Sequence, residues 1–313
     1  MTTKSTREAA MLAITEAARK DEKIVIISPD SVAAARATKF RDEFPDRVIE
    51  VGIAEQDAVD IAAGLATTGM KPVVVTYAGF LTMRACEMIR TFIAYPGLNV
   101  KLIGLNGGML GGEREGVTHQ FYEDVGILRS MPGVKILCPA DAQQAYCAAK
   151  AMMDIDGPAY LRLGSGREPE VFPEGTPFEF GKIREVKSYG DDVAVFASGF
   201  IMNRAIEAVD RLHAEGVNAT LIDVSTVKPL DSAGVAAVLR RTNCAVAVED
   251  HNIYGGMSSA ICEVACHFHP CKVRRLGLKD VYPRSGKAAE LLDAYGLSVQ
   301  DIMDAARDAM IKE

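Results

Sequence analysis

Several stretches of this chain hold residue types whose spacing could do chemistry. Glu55 opens a strongly apolar helix, AVDIAAGLA, directly after the strand-like run Val48 to Val51 and the turn Gly52-Ile53-Ala54. An acid in that place either complements the helix dipole or acts as a proton partner at the end of a strand. His119 stands in Gly116-Val117-Thr118-His119-Gln120, beside Glu113, Arg114 and Glu115, where a glycine-rich loop meets the next helix. A polar loop at a strand's C-terminal end suits proton transfer or recognition of a hydroxyl. Tyr77-Ala78-Gly79-Phe80 closes a buried strand, and its aromatics are either core or a stacking surface for a flat ligand. The glycines of Gly107 to Gly112 match neither GxGxxG nor the P-loop, which also needs a lysine, so the segment reads as a loop over a site. Cys262, Cys266, His267, His269 and Cys271 are metal-ligand types. Yet Cys262 and Cys266 fall at helical spacing in the apolar AICEVACHF, where cysteine serves as a small core residue, and no second ligand pair with zinc-finger spacing exists.

The elements that must position these residues alternate along the whole chain. Ser5 and Glu8 form a capping-box pattern ahead of a helix with Met11, Ile14 and Ala18 on one face. Apolar runs at Ile24 to Ile27, Val48 to Val51, Pro72 to Tyr77 and Val100 to Leu105 read as strands, with helices from about Glu55 to Gly69 and from Leu81 to Ala94 between them. Runs of Val, Ile and Leu without polar alternation suit strands covered on both faces, hence an α/β, doubly wound parallel sheet. From Gly166 to Tyr189 the pattern breaks into a proline-rich, acidic stretch. The expected division is therefore a first domain over 1–168, a linker over 169–189 and a second doubly wound domain over 190–313. Strands are expected there at Val193 to Ala197, Ala219 to Val224, Ala245 to Val248 and Lys272 to Leu276, and two helices close the chain.

Composition removes other function classes. The chain has 313 residues, 35 basic against 42 acidic, and a net charge of −7, with no block of Lys or Arg, so nucleic-acid binding is not expected. No run reaches the ~18 apolar residues of a membrane helix. MTTKSTREAA lacks a secretory apolar segment, and seven cysteines suit reduced thiols, so a cytoplasmic location is expected.

Together, GIAEQDAVDIAAGLATTGMKPVVVTYAGFLTMRACEMIR, EGVTHQ, VKILCPAD and GPAYLRLG resemble the pyrimidine-binding domain of the transketolase family. IDVSTVKPLD, VEDHNIYGG and SGKAAELLDAYGLS are similar to that family's C-terminal domain, so the resemblance spans nearly the whole chain. Deoxyxylulose-phosphate synthases and 2-oxo-acid dehydrogenase β subunits share the layout more distantly. The family's diphosphate and Mg²⁺ motif, Gly-Asp-Gly followed by an Asn, has no counterpart: Gly190-Asp191-Asp192 lacks the second glycine and lies in the wrong domain. The resemblance thus implies the C-terminal subunit of a split, thiamine diphosphate-dependent transketolase. A partner with the N-terminal domain would hold the Mg²⁺, in an α2β2 assembly, and this chain alone would be inactive.

The resemblance also assigns roles. Thiamine chemistry needs a carboxylic acid hydrogen-bonded to the pyrimidine N1′, and Glu55 matches the family's acid. Phe80, with Tyr77 nearby, is placed like the aromatic that stacks on the aminopyrimidine, and Asp30 corresponds to an aspartate near the cofactor across the subunit interface. His119 matches the histidine that contacts the donor's oxygen. Glu115 stands where transketolases use an aspartate to read a sugar hydroxyl. Arg7 and Arg162 match the arginines of the sugar-phosphate clamp, whereas its serine and histidine positions hold Ala34 and Gly107. The implied reaction moves a two-carbon ketol unit from a ketose, phosphorylated or otherwise anionic, to an aldose. The alternatives are a 2-oxo-acid or acetoin dehydrogenase β subunit, told apart by reductive acylation of lipoamide, and a scaffold subunit, which would have no use for Glu55, Phe80 and His119.

Overall fold

The structure is a computed structural model that describes residues 5–112, 115–166 and 168–311. Its first sheet holds β1 (Ile24–Ser28), β2 (Val48–Glu50), β3 (Lys71–Tyr77), β4 (Lys101–Leu105), β5 (Lys135–Leu137) and β6 (Ala159–Arg162). The second holds β7 (Arg184–Ser188), β8 (Val193–Ser198), β9 (Ala219–Asp223), β11 (Cys244–Asn252) and β12 (Lys272–Leu278), while β10 (Thr226–Lys228) crosses to the first. The orders are β10-β5-β6-β4-β3-β1-β2 and β12-β11-β8-β9-β7. All pairings are parallel except β10 with β5 and β7 with β9, both antiparallel edges. Every residue of β1, β4, β6 and β8 is buried, as strands covered by helices on both faces must be.

The helix Thr6–Ala18 starts at Ser5, whose hydroxyl accepts from the Glu8 N–H. It lies against the helix Ala142–Asp154 through Ala9, Ala10 and Ala13 on one side and Ala145, Ala148 and Ala149 on the other, all buried. Side chains this small let the two backbones approach closely while covering one face of the first sheet.

Three features depart from the sequence expectation. The stretch read as linker ends in β7, REVKS, whose residues are all half-buried or exposed and three of them charged; it is an edge strand. Strand β10 is only three residues long and carries no sequence signal of its own; it ties the second half of the chain to the edge of the first sheet. The expected helix Leu81 to Ala94 is instead two π-helical stretches, Phe80–Arg84 and Ile89–Ala94, around a single α-turn at Cys86–Met88. A wider turn brings residues four apart onto one face, and π-turns of this kind concentrate at functional sites.

Candidate active site

The C-terminal ends of β1, β3 and β4 open on one side of the first sheet, the place where open α/β sheets bind ligands. Glu55 is the first residue of the helix Glu55–Thr67 and is 4 % exposed. Its Oε1 accepts from Arg84 Nη1 at 3.0 Å, and Arg84 also lies over the Phe80 ring, its Cζ 3.9 Å from the ring centre. Gln56 Nε2 donates to the Arg84 carbonyl at 3.1 Å, which fixes the π-turn against the start of the helix.

Around Phe80 the aromatics form a ring cluster. Tyr77, His119 and Phe121 meet it edge to face, with centroids 5.7, 5.1 and 5.2 Å away, and Tyr77 and His119 are themselves 5.4 Å apart. Pairs at this spacing gain from quadrupole complementarity beyond the area they bury. Gly79 makes the cluster possible: a Cβ there would lie 1.9 Å from the Phe121 ring. Thus Tyr77, Phe80, His119 and Glu55, separate in sequence, are brought into one site. His119 Nδ1 is 3.0 Å from Thr118 Oγ1.

Asp30 follows β1 in the left-handed region (φ 54°), exposed, its N–H bound to Glu50 Oε1. Glu115 is exposed on the loop that leads to His119; Glu113 and Arg114, named with it, lie outside the described residues. The glycine-rich loop is anchored by the second half of the chain: Met109 N–H and Leu110 N–H donate to the buried Asp250 carboxylate at 2.9 and 3.3 Å. Gly108 (φ 87°) is required here, since a Cβ would fall 2.2 Å from Asp250 Oδ2. Among the described residues no group of three or more His, Cys, Asp or Glu could hold a metal ion, the cluster from Cys262 to Cys271 included.

The two arginines expected to clamp a phosphate make contacts within the chain. Arg162 is buried and its Nε donates to both oxygens of the fully buried Asp124, at 3.2 and 2.9 Å. Its Nη2 reaches Asp124 Oδ1 (3.0 Å) and the carbonyls of Phe121 (3.1 Å) and Asp250 (3.0 Å). Tyr160 donates to Asp124 Oδ2 at 2.6 Å. Burial pushes the Asp124 carboxyl up, but the Arg162 charge and the hydrogen bonds outweigh it and hold it below the ordinary range. The Arg162 side chain also fills the space over Gly107, where a Cβ would meet its Cγ at 2.6 Å. Arg7, 8 % exposed, donates to the carbonyls of Gly164 (2.8 Å) and Ala34 (3.0 Å) and to Asn106 Oδ1. Both arginines are tied to groups inside the chain.

Sequence reasoning missed Arg84, Phe121, Asp124 and Asp250. Arg84 follows Phe80 by four residues, a spacing that would have hinted at a shared face; the others take part through contacts distant in sequence.

A buried acid and an aromatic ring joined through one guanidinium, at the strand ends of an open α/β sheet, form a place that a flat, hydrogen-bonding ring can fit. Residues 2–167 match the model of the transketolase pyrimidine-binding domain, and residues 181–302 match that of the transketolase C-terminal domain. The chain belongs to the transketolase family and is a transketolase-type subunit. It is 33 % identical over 293 residues (94 % of this chain, 90 % of the relative) to the 6-deoxy-6-sulfo-D-fructose transketolase subunit SqwH of Clostridium sp. strain MSTE9. It is 34 % identical to one of the subunits of the apulose-4-phosphate transketolase of Phocaeicola vulgatus, covering 95 % of each chain. Among solved structures it superposes on a split-gene transketolase described as an inactive β4 tetramer, with TM-score 0.89, 36 % identity and 98 % of each chain covered. These relatives are transketolase subunits, not dehydrogenase β subunits.

Proposed function

We propose that this chain is the pyrimidine-side subunit of a split, thiamine diphosphate-dependent transketolase that transfers a two-carbon ketol unit from an anionic ketose to an aldose. The observation that carries the reading is the buried Glu55 carboxylate linked to the Phe80 ring through the Arg84 guanidinium. The fit of an aminopyrimidine to these residues is supported by Arg84, since a flat, hydrogen-donating cation already lies on Phe80 while bonding Glu55.

When bound, thiamine diphosphate supplies a nucleophilic carbon and an electron sink. Glu55 would hold a proton toward ring N1′, a role that its burial favours because water competes little for it. Phe80, backed by Tyr77, would offer the ring a face to stack on, and Asp30, exposed after β1, would lie near the cofactor across the subunit interface. His119, in contact with the same aromatics, orients the donor's oxygen, and Glu115 on its loop reads a sugar hydroxyl. Mg²⁺ and the diphosphate are held by a partner chain carrying the N-terminal domain, in an α2β2 complex. With Arg7 and Arg162 turned inward, the cations that recognise the donor's anionic group come in part from that partner. The sulfonated and phosphorylated sugars of the two named relatives support an anionic donor.

The test is ketol transfer from phosphorylated and sulfonated ketoses, assayed with this chain alone and with the N-terminal subunit added. Transfer only in the mixture is expected. Reductive acylation of lipoamide in place of ketol transfer would overturn the reading.

A further inference from the structure

Arg84 makes both contacts that a pyrimidine ring would need. Its guanidinium is flat and cationic, lies over Phe80 with Cζ 3.9 Å from the ring centre, and donates to Glu55 Oε1 at 3.0 Å. Tyr77, His119 and Phe121 already surround that ring edge to face, so the side covered by Arg84 is the one that a flat ligand can reach from Glu55. A guanidinium also never surrenders its proton, so it is the wrong lasting partner for a carboxyl that must share a proton with a ring nitrogen.

We propose that Arg84 and the cofactor's pyrimidine ring compete for one place between Glu55 and Phe80, and that the ring enters by exchange as the guanidinium swings out. The inference rests on the transketolase reading given above. Two features equip Arg84 for exchange. Its side chain is 49 % exposed, against 5 % for Glu55, so it can move into water while the carboxylate cannot. Its backbone is pinned through the carbonyl that accepts from Gln56, so the motion is confined to the side chain. The pair also shields the acid: a buried carboxylate left with no partner is costly, and Arg84 holds that role until the ring takes it over.

The experiment is calorimetric titration of thiamine diphosphate with Mg²⁺ into the assembled two-subunit complex, wild type against Arg84→Met and Arg84→Lys. Loss of the competing stack and ion pair is expected to tighten cofactor binding about tenfold in Arg84→Met. Arg84→Lys, which keeps the charge but cannot lie flat on Phe80, is expected to fall between. In the free chain Arg84→Met should melt earlier, because Glu55 loses its partner. Unchanged or weaker binding by Arg84→Met, with recovery in Arg84→Lys, would overturn the proposal and make Arg84 a lasting part of the bound site. Wild-type complex that binds no thiamine diphosphate would refute the transketolase reading itself, and the exchange with it.

Discussion

Replacing Arg162 by methionine separates the role seen in the structure from that of a phosphate ligand. Asp124 is fully buried and accepts from Arg162 Nε and Nη2 and from Tyr160 Oη. With the guanidinium gone, Tyr160 alone faces a carboxylate that water cannot reach. Breaking a buried ion pair from one side costs about 3–5 kcal/mol. At a urea slope of about 3 kcal/mol/M, the unfolding midpoint of the isolated chain falls by roughly 1–1.7 M. The double variant Arg162→Met with Asp124→Leu should recover about half of this, leaving about 1–3 kcal/mol for the Tyr160 hydroxyl that loses its acceptor. The pH dependence has a definite sign. The folded Asp124 carboxyl lies below its unfolded value, about 3.9, so its contribution is complete above that value and is lost as pH falls through the lower folded one. Wild type should therefore lose stability more steeply below about pH 4 than the double variant, the difference being the share of Asp124. A midpoint unchanged within about 0.3 M, together with a raised KM confined to phosphorylated sugars, would refute the reasoning and restore Arg162 as a substrate ligand.

Other outcomes test the site and the scaffold. Glu55→Gln should abolish ketol transfer in the complex while leaving subunit assembly intact; near-normal turnover would remove Glu55 as the proton partner. Glu115→Asp should shift preference toward ordinary ketose phosphates, read as a ratio of kcat/KM values, and an unchanged ratio would mean that position 115 does not touch the sugar. Lys101, fully buried, donates to the carbonyls of Ile155 and Gly157 at 2.5 and 3.0 Å, and burial brings its pKa down to about 7. Between that value and its unfolded pKa of about 10.4 the unfolded chain binds the extra proton, so Lys101 makes stability rise with pH across this window. Lys101→Met should flatten that rise, measured as the difference from wild type in urea midpoints at pH 7 and 10.

The parts of the fold that the sequence exposes are those governed by local burial. Unbroken apolar runs became β1, β3 and β4, because a strand covered on both faces has no polar alternation to hide it. What stayed hidden depends on contacts remote in sequence. Three residues at Thr226–Lys228 carry no pattern, and β10 exists because β5 offers an open edge. The π-turn at Phe80–Arg84 forms where Phe121, some forty residues on, packs against Gly79. In the site, residue types marked Glu55, Tyr77, Phe80 and His119 because acid, aromatic and imidazole sit at strand and loop ends. The arginines could not be assigned partners from the sequence, because a guanidinium serves a buried carboxylate and a substrate phosphate equally well. The buried carboxylate that Arg162 meets, Asp124, is seen only in the structure.

The central claim, that this chain holds half of a thiamine site, is tested most directly by titrating thiamine diphosphate with Mg²⁺ into the chain alone and again with the N-terminal subunit present. Binding heat in the mixture and none with the isolated chain is the predicted result. Tight binding by the isolated chain would contradict it, because the residues that grip the diphosphate and the metal would then have to lie within these 313 residues.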